Sequence, residues 1–227
     1  MSRCLTTRYE RPIQMNYKLV IFDFDGTLAD TFPYFLRTIN TLAATYHFSP
    51  INPDDVDQLR GMDARQLMKN ARVPLWKIPL IANAFIRQMG QDIGQIRLFE
   101  GMADLLEQLS KQGVRLAIVS SNSEANIRRV LGPETAALIT HYGCGSSLFG
   151  KQHKFRKTME HCGVKPGETL CIGDEIRDIE AARGAAVAFG AVSWGYTRVD
   201  VLQGHPGIHV FYTPEGIART VLGETGR

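Results

Sequence analysis

Four places in this sequence bring together residue types that do chemistry. Asp23 and Asp25 stand two apart and are followed at once by Gly26 and Thr27. Ser120-Ser121-Asn122-Ser123 clusters hydroxyls around an amide, and Lys151 stands alone after Gly150. Gly173-Asp174-Glu175-Ile176-Arg177-Asp178 packs acids around one arginine. Side chains two apart on an extended backbone point the same way, so Asp23 and Asp25 lean toward one spot. Two bare anions side by side repel, and the pair therefore invites a hard cation or acid–base chemistry. Gly26 allows a sharp exit and a close approach of main chain to a ligand. Asp-Gly is also a hairpin signal, but a helix-like segment rather than an alternating strand follows Thr27-Leu28-Ala29-Asp30.

The serine and asparagine cluster, with main-chain N–H groups leading into a helix, suits a phosphate. Ser123 alone would also satisfy a plain helix cap, and both readings stand. Lys151 would open a helix, where a cation opposes the dipole, so it points to another partner. Lys154 and Lys157 lie close by, and a solvated basic face competes with that reading. Asp178 falls one helical turn after Asp174 on the same face. Magnesium takes few protein carboxylates and keeps waters and phosphate oxygens as its other ligands; Asp23, Asp25 and Asp174 match that demand.

These groups need elements that deliver them to one place. Leu19-Val20-Ile21-Phe22 is a continuous apolar run, short enough for a strand covered on both faces. Further strands are expected at Val114–Val119, Ile139–Cys144, Thr169–Ile172, Val187–Val192 and Ile208–Phe211. Helical patterns fall between them: Met102 to Leu109, Ser123 to Leu131, Lys151 to Cys162 and Ile176 to Arg183. Strand and helix in alternation argue for an α/β fold, a doubly wound, Rossmann-like parallel sheet. Ligands in such sheets sit at the carboxyl ends of the strands, and each chemical group above follows a predicted strand.

Residues 31–97 differ in texture. Phe32, Phe35, Leu36, Ile39, Leu42, Ala43 and Tyr46 recur at helical spacing, as do Trp76, Ile78, Leu80, Ile81, Ala84, Phe85 and Met89. With no strand pattern among them, these residues read as an inserted all-helical subdomain, 31–97, between core segments 15–30 and 98–227. Arg60, Gly61 and Arg65 sit at a break in it where an arginine could face the site. Residues 1–14 read as an amino-terminal appendage: they lack the apolar core of a secretory signal, Glu10 argues against a transit peptide, and Met15 offers an alternative start.

With 227 residues, 44% of them hydrophobic and 22% charged, the chain has an ordinary globular composition. A net charge of +3 with no dense basic block gives nucleic acid no support as a partner. No run reaches transmembrane length. Cys4, Cys144, Cys162 and Cys171 form no Cys-x-x-Cys pair and read as packing residues of a reducing, cytoplasmic compartment. The six histidines show no metal-ligand spacing.

Asp-Phe-Asp-Gly-Thr-Leu at residues 23–28 resembles the first motif of the haloacid dehalogenase-like phosphohydrolases. Ser120, Lys151 and Gly173-Asp174-x-x-x-Asp178 resemble the second, third and fourth motifs in order, and the helical insertion is similar to that family's cap. The likeness spans residues 17–215 and is strongest to the phosphoglycolate-phosphatase-like branch, through Gly-Asp-Glu-x-Arg-Asp-Ile-Glu-Ala-Ala. Ala186 departs from it, since relatives commonly carry Gly there. The resemblance implies a magnesium-dependent phosphatase acting on a small phosphomonoester, phosphoglycolate-like or a sugar phosphate. It implies Asp23 as nucleophile forming an aspartyl phosphate and Asp25 as general acid and base. Mg2+ is then held by Asp23, Asp174 and the main-chain carbonyl of Asp25. Ser120 and Lys151 would hold phosphoryl oxygens, with Gly26, Thr27, Ser121, Asn122 and Arg60 on the substrate side. Asp178, orienting Lys151 or a metal-bound water, and Glu175 would form the surrounding shell.

Rivals on the same scaffold separate on single residues. A halide-displacing enzyme of this family typically lacks the second acid and needs no metal, so Asp25 and Asp174 argue against it. A sugar phosphomutase would keep both acids and stays open. A non-catalytic binding protein sits poorly with retention of every motif residue. The expected partner is a small phosphorylated metabolite, with neither nucleic acid nor membrane, on a monomer or homodimer.

Overall fold

β1 (Leu19–Phe22) has every residue fully buried, as a central strand covered on both faces requires. A computed structural model of the chain describes residues 16–145 and 150–223. The expected appendage 1–14 with Cys4, the alternative start at Met15, and the side chain of Arg65 lie outside what is described. β2 (Arg115–Ile118), β3 (Ile139–Tyr142), β4 (Thr169–Gly173), β5 (Ala188–Val192) and β6 (His209–Phe211) join β1 in one parallel sheet, ordered β3-β2-β1-β4-β5-β6. Phe22 is in register with Ile118 on one side and Ile172 on the other. The strands therefore end level, and the residues just beyond them share one edge. Strand order reverses between β1 and β4, the place where open α/β sheets hold ligands.

The alternation of side chains along β1 and β2 feeds two cores. Val20, Phe22, Leu116 and Ile118 face one cluster, which α5 (Met102–Lys111), α6 (Glu124–Ala137) and α10 (Pro214–Leu222) complete. Leu19, Ile21, Ala117 and Val119 face the other, against α7 (Gly150–Cys162) and α8 (Ile176–Ala185). A short α9 (Val199–Gln203) adds Leu202 to the second cluster.

Between β1 and α5 the chain is helical: α1 (Phe32–Tyr46), α2 (Val56–Leu59), α3 (Ala64–Asn70) and α4 (Ile78–Gln91). Leu42, Ile81 and Ala84 centre a small core of their own, with Tyr46, Phe48, Val73 and Phe85 packed around it. The two connections to the sheet run side by side. Ala29 pairs with Leu98, Asp30 N–H donates to Arg97 O at 2.9 Å, and Phe99 N–H donates to Leu28 O at 2.9 Å.

Several local details depart from the sequence reading. α4 starts at Ile78 and leaves Trp76 of the expected helical stripe outside it, because Pro79 fixes its first turn. The residues before it form a separate 3-10 turn with Trp76 69% exposed, and Leu80, within α4, is 50% exposed. The Ser123-capped helix runs past Leu131 to Ala137, but breaks at Gly132, where φ is 74° ahead of Pro133. α10 was not anticipated; Thr213 caps it by accepting from Gly216 N–H at 3.2 Å.

Candidate active site

Asp23 follows β1 directly, and its N–H continues the ladder to Ile172 O at 2.8 Å. Its Oδ1 accepts from Phe24 N–H at 2.8 Å, and its Oδ2 is ion-paired with Lys151 Nζ at 2.7 Å. Lys151 stands at the start of α7 and reaches Asp178 Oδ1 at 2.6 Å as well. The partner demanded by its position against the helix dipole is thus a pair of buried acids. Lys154 donates to the carbonyls of Ser120 and Gly145, and Lys157 is exposed. Among the three lysines, Lys151 alone meets the carboxylates.

Asp174 follows β4 and is fully buried. Thr27 Oγ1 donates to its Oδ1 at 2.8 Å, and Tyr196 N–H, from the loop after β5, donates to its Oδ2 at 2.7 Å. Gly26 and Gly195 line it so closely that a Cβ at either would overlap the Asp174 side chain. Gly26 also takes a φ of 74°, a conformation open to glycine at no steric cost.

Asp23, Asp174 and Asp178 each offer an oxygen within 4.8 Å of the others. Burial pushes the Asp23 carboxyl up to about 7 against the pull of the Lys151 ammonium, with Asp178 adding to the rise. Burial likewise holds Asp174 well above the usual range, helped by the charges of Glu175, Asp23 and Asp178. Burial alone would lower Lys151, but Asp178 and Asp23 outweigh it and raise it. Three buried acids against one buried ammonium leave the cluster short of positive charge. An all-oxygen, anionic donor set of this kind fits a hard divalent cation.

Asp25 lies beside this group with its carboxylate turned another way. Asn122 Nδ2 donates to both of its oxygens, at 3.3 and 3.2 Å. Burial raises Asp25, and hydrogen bonds from Asn122 and Thr31 hold the rise back. Asn122 is itself fixed, accepting from Ser123 N–H at 2.8 Å and Asn126 Nδ2 at 3.1 Å, with Met89 Sδ of α4 at 3.1 Å from its Nδ2. Ser120 is buried and accepts from Asn122 N–H at 3.1 Å, while Ser121 is exposed. Ser123 caps α6 through Asn126 N–H at 3.2 Å, so cap and cluster coexist.

Three residues expected on the substrate side have partners within the chain. Thr27, placed on the substrate side, is fully buried and gives its hydroxyl to Asp174. Asn122 gives its amide to Asp25 rather than standing free for a phosphate. Arg60 turns its guanidinium to the loop after β5, where Nε donates to Tyr196 O at 2.9 Å and Nη2 to Gly195 O at 2.8 Å. Glu175 caps α8 together with Asp178 and pairs with Arg177 at 2.5 Å. Gly195 and Tyr196 were missed altogether. Their signal was the strand-end rule itself, applied once more after β5.

A profile of the haloacid dehalogenase-like hydrolase family matches residues 20–192. Phosphoglycolate phosphatase of Synechococcus elongatus is 34% identical over 178 residues, covering 78% of this chain and 84% of that protein. Phosphoglycolate phosphatase of Agrobacterium fabrum is 30% identical over 203 residues, covering 84% and 86%. A crystal structure of a Lactobacillus plantarum protein superimposes with a TM-score of 0.78 at 24% identity, covering 91% of this chain and all of that one, and shares the fold.

Proposed function

This chain belongs to the haloacid dehalogenase-like hydrolase family, and from that membership we propose that it is a magnesium-dependent phosphatase of small phosphomonoesters. The observation that carries the reading is the pairing of Asp23 and Asp174 at adjacent strand ends, with Lys151 bridging Asp23 and Asp178. Phosphoglycolate is the first substrate to try, since two relatives at 30% identity or more are named for it.

In this reading Asp23 supplies the nucleophilic oxygen. A bond forms from its carboxylate to phosphorus while the ester P–O bond breaks, giving an aspartyl phosphate and dividing one hard step into two. Asp25 gives its proton to the departing alkoxide. It then takes a proton from water as that water attacks phosphorus and the bond to Asp23 breaks, releasing inorganic phosphate. Lys151 and Ser120 hold phosphoryl oxygens, and the Lys151 charge counts most as negative charge spreads in the transition state. Mg2+, held by Asp23, Asp174 and the main-chain carbonyl of Asp25, would supply charge neutralisation and a template for the phosphoryl group. The helices of residues 31–97 serve as a cap that screens the site from water.

Turnover of 2-phosphoglycolate and a panel of sugar phosphates, followed by phosphate release, tests the proposal. Chelation with EDTA should abolish activity and Mg2+ should restore it. Full activity in metal-free buffer would remove Asp174 from its assigned role, and isomerisation of a sugar phosphate without phosphate release would make the enzyme a mutase.

A further inference from the structure

Arg60 was expected at the substrate, yet its fork grips main chain. The two carbonyls it holds, Gly195 O at 2.8 Å and Tyr196 O at 2.9 Å, are consecutive. The carbonyl of Gly195 and the N–H of Tyr196 belong to one peptide group, which is planar and rigid. That N–H is the donor to Asp174 Oδ2 at 2.7 Å. A single peptide plane is therefore held at both ends: by the Arg60 guanidinium on its oxygen and by the Asp174 carboxylate on its nitrogen.

The geometry points to Arg60 as a positioning residue for Asp174, acting through the 195–196 peptide, so that a residue of the helical insertion sets the strength of the metal site. This rests on the metal-dependent reading above. Both hydrogen bonds of the relay are charge-assisted, and a donor on the carbonyl oxygen polarises the peptide and strengthens its N–H as a donor. Thr27 takes the other Asp174 oxygen, so the two bonds together fix the plane of the carboxylate and the direction of its free lone pairs.

The surroundings keep the relay in place. Arg198 N–H donates back to Arg60 O at 3.0 Å, tying the C-terminal end of α2 to the loop. The Arg60 guanidinium lies over the Phe32 ring, 5.2 Å from its centroid, and the Tyr196 ring meets Phe32 edge-on at 4.9 Å. The Tyr196 hydroxyl is 2.9 Å from Thr31 Oγ1. Gly195 is required because a side chain there would collide with Asp174. A lysine could not reproduce the contact, since an ammonium lacks the planar fork that spans two carbonyls.

Removing a direct partner of a metal ligand costs typically ~10–100-fold in metal affinity. Arg60 stands one bond further out, and its loss should cost about 3–10-fold by the same scale. The test is Mg2+ binding to the full chain by calorimetry, with the Mg2+-induced rise in melting temperature as a second readout, neither of which needs turnover. Arg60→Met keeps the alkyl stem over Phe32 and removes the fork; Arg60→Lys keeps the charge but replaces the planar fork with a point-like ammonium. Mg2+ should bind Arg60→Met about 3–10-fold more weakly than the wild type, with Arg60→Lys between them. KM for 2-phosphoglycolate at saturating Mg2+ should stay within about twofold of the wild type, since removing a group that binds substrate is what raises KM. Equal Mg2+ affinity in all three proteins overturns the inference, and a raised KM beside it returns Arg60 to the substrate. A melting temperature lowered equally with and without Mg2+ also overturns it, by making Arg60 a packing residue. Should Arg60→Met fail to fold, Arg60→Lys decides alone: wild-type Mg2+ affinity in it refutes the relay. A wild-type protein that binds no Mg2+ fails the metal-dependent reading itself, and the inference falls with it.

Discussion

Lys151→Met is the substitution that most directly probes the charge balance of the site. Lys151 Nζ lies 2.7 Å from Asp23 and 2.6 Å from Asp178, and its side chain is only 15% exposed. Methionine keeps the length and removes the charge, leaving two buried acids without their cation. Breaking a buried pair by removing one partner costs about 3–5 kcal/mol, which for a chain of this size is a melting temperature lower by about 6–20 °C. The loss should depend on pH. In metal-free wild type, Asp23 titrates at about 7 because burial outweighs Lys151; without Lys151 it titrates higher still. Between pH 7 and 8 the variant then carries a proton the wild type has shed, and its relative stability falls by about 1 kcal/mol over that unit. The assay is thermal unfolding of both proteins in EDTA at pH 5 and pH 8. Turnover should fall by on the order of 10²–10³, while Mg2+ affinity should hold or tighten, since a competing cation has gone. A drop below about 1 kcal/mol at pH 8, or the same drop at both pH values, would refute the reasoning.

The raised carboxylates of the wild type make a related prediction. Asp23 keeps its proton in the folded state up to about 7 but loses it near 3.8 when unfolded, so its contribution to metal-free stability is fully present below about pH 4 and is lost as pH rises through about 7. Asp25 and Asp174 shift the same way, and added Mg2+ should raise the melting temperature more at pH 8 than at pH 5. Ala186→Gly should stabilise the protein by about 0.5–1 kcal/mol, because Ala186 holds a left-handed φ of 58° at the end of α8; an unchanged or lowered melting temperature would count against strain there. Asp25→Asn should slow cleavage of alkyl esters much more than of an activated aryl phosphate, whose leaving group needs little proton assistance. With the aryl ester, rapid quench should show a burst of about one alcohol per site and phosphate retained on Asp23, and Asp23→Asn should give no burst at all.

The sequence yielded what local signals can carry. Short segments of four to six residues, most of them rich in apolar side chains, located the strands, and the residues past them brought out Asp23, Asp25, Ser120, Lys151, Asp174 and Asp178, which the structure gathers at one sheet edge. Hydrogen-bond partners were not legible, because Thr27 and Asp174 stand 147 residues apart in the chain and Asn122 and Asp25 stand 97 apart. Thr27 and Asn122 read as phosphate donors from their types, and only the fold shows that they serve Asp174 and Asp25. The loop after β5 works through a main-chain N–H and a missing side chain, so apart from Gly195 it leaves no mark in residue type. Trp76 and Leu80 fitted a helical stripe in one dimension but fell on the exposed side once Pro79 set where α4 begins. α10 was readable in principle, since Thr213-Pro214 ahead of Ile217, Ala218, Val221 and Leu222 is a capped amphipathic pattern.

The same charge balance bears on the order in which the site can fill. Asp23, Asp174 and Asp178 share a space less than 5 Å across and face a single ammonium. Arg177, another cation nearby, is half exposed and already paired with Glu175, and Lys154 is turned to the carbonyls of Ser120 and Gly145. Without a metal, burial favours the protonated forms of Asp23 and Asp174, and whatever negative charge they keep repels an approaching phosphate in a place where screening is weak. A divalent cation, on the proposed reading, would meet attraction there and would lower the carboxyl groups that burial had raised, leaving Asp23 the anion that its proposed role as nucleophile needs. On the proposed reading, the burial that makes these acids costly alone makes them selective together, since a phosphate ester would be received once a cation had neutralised them.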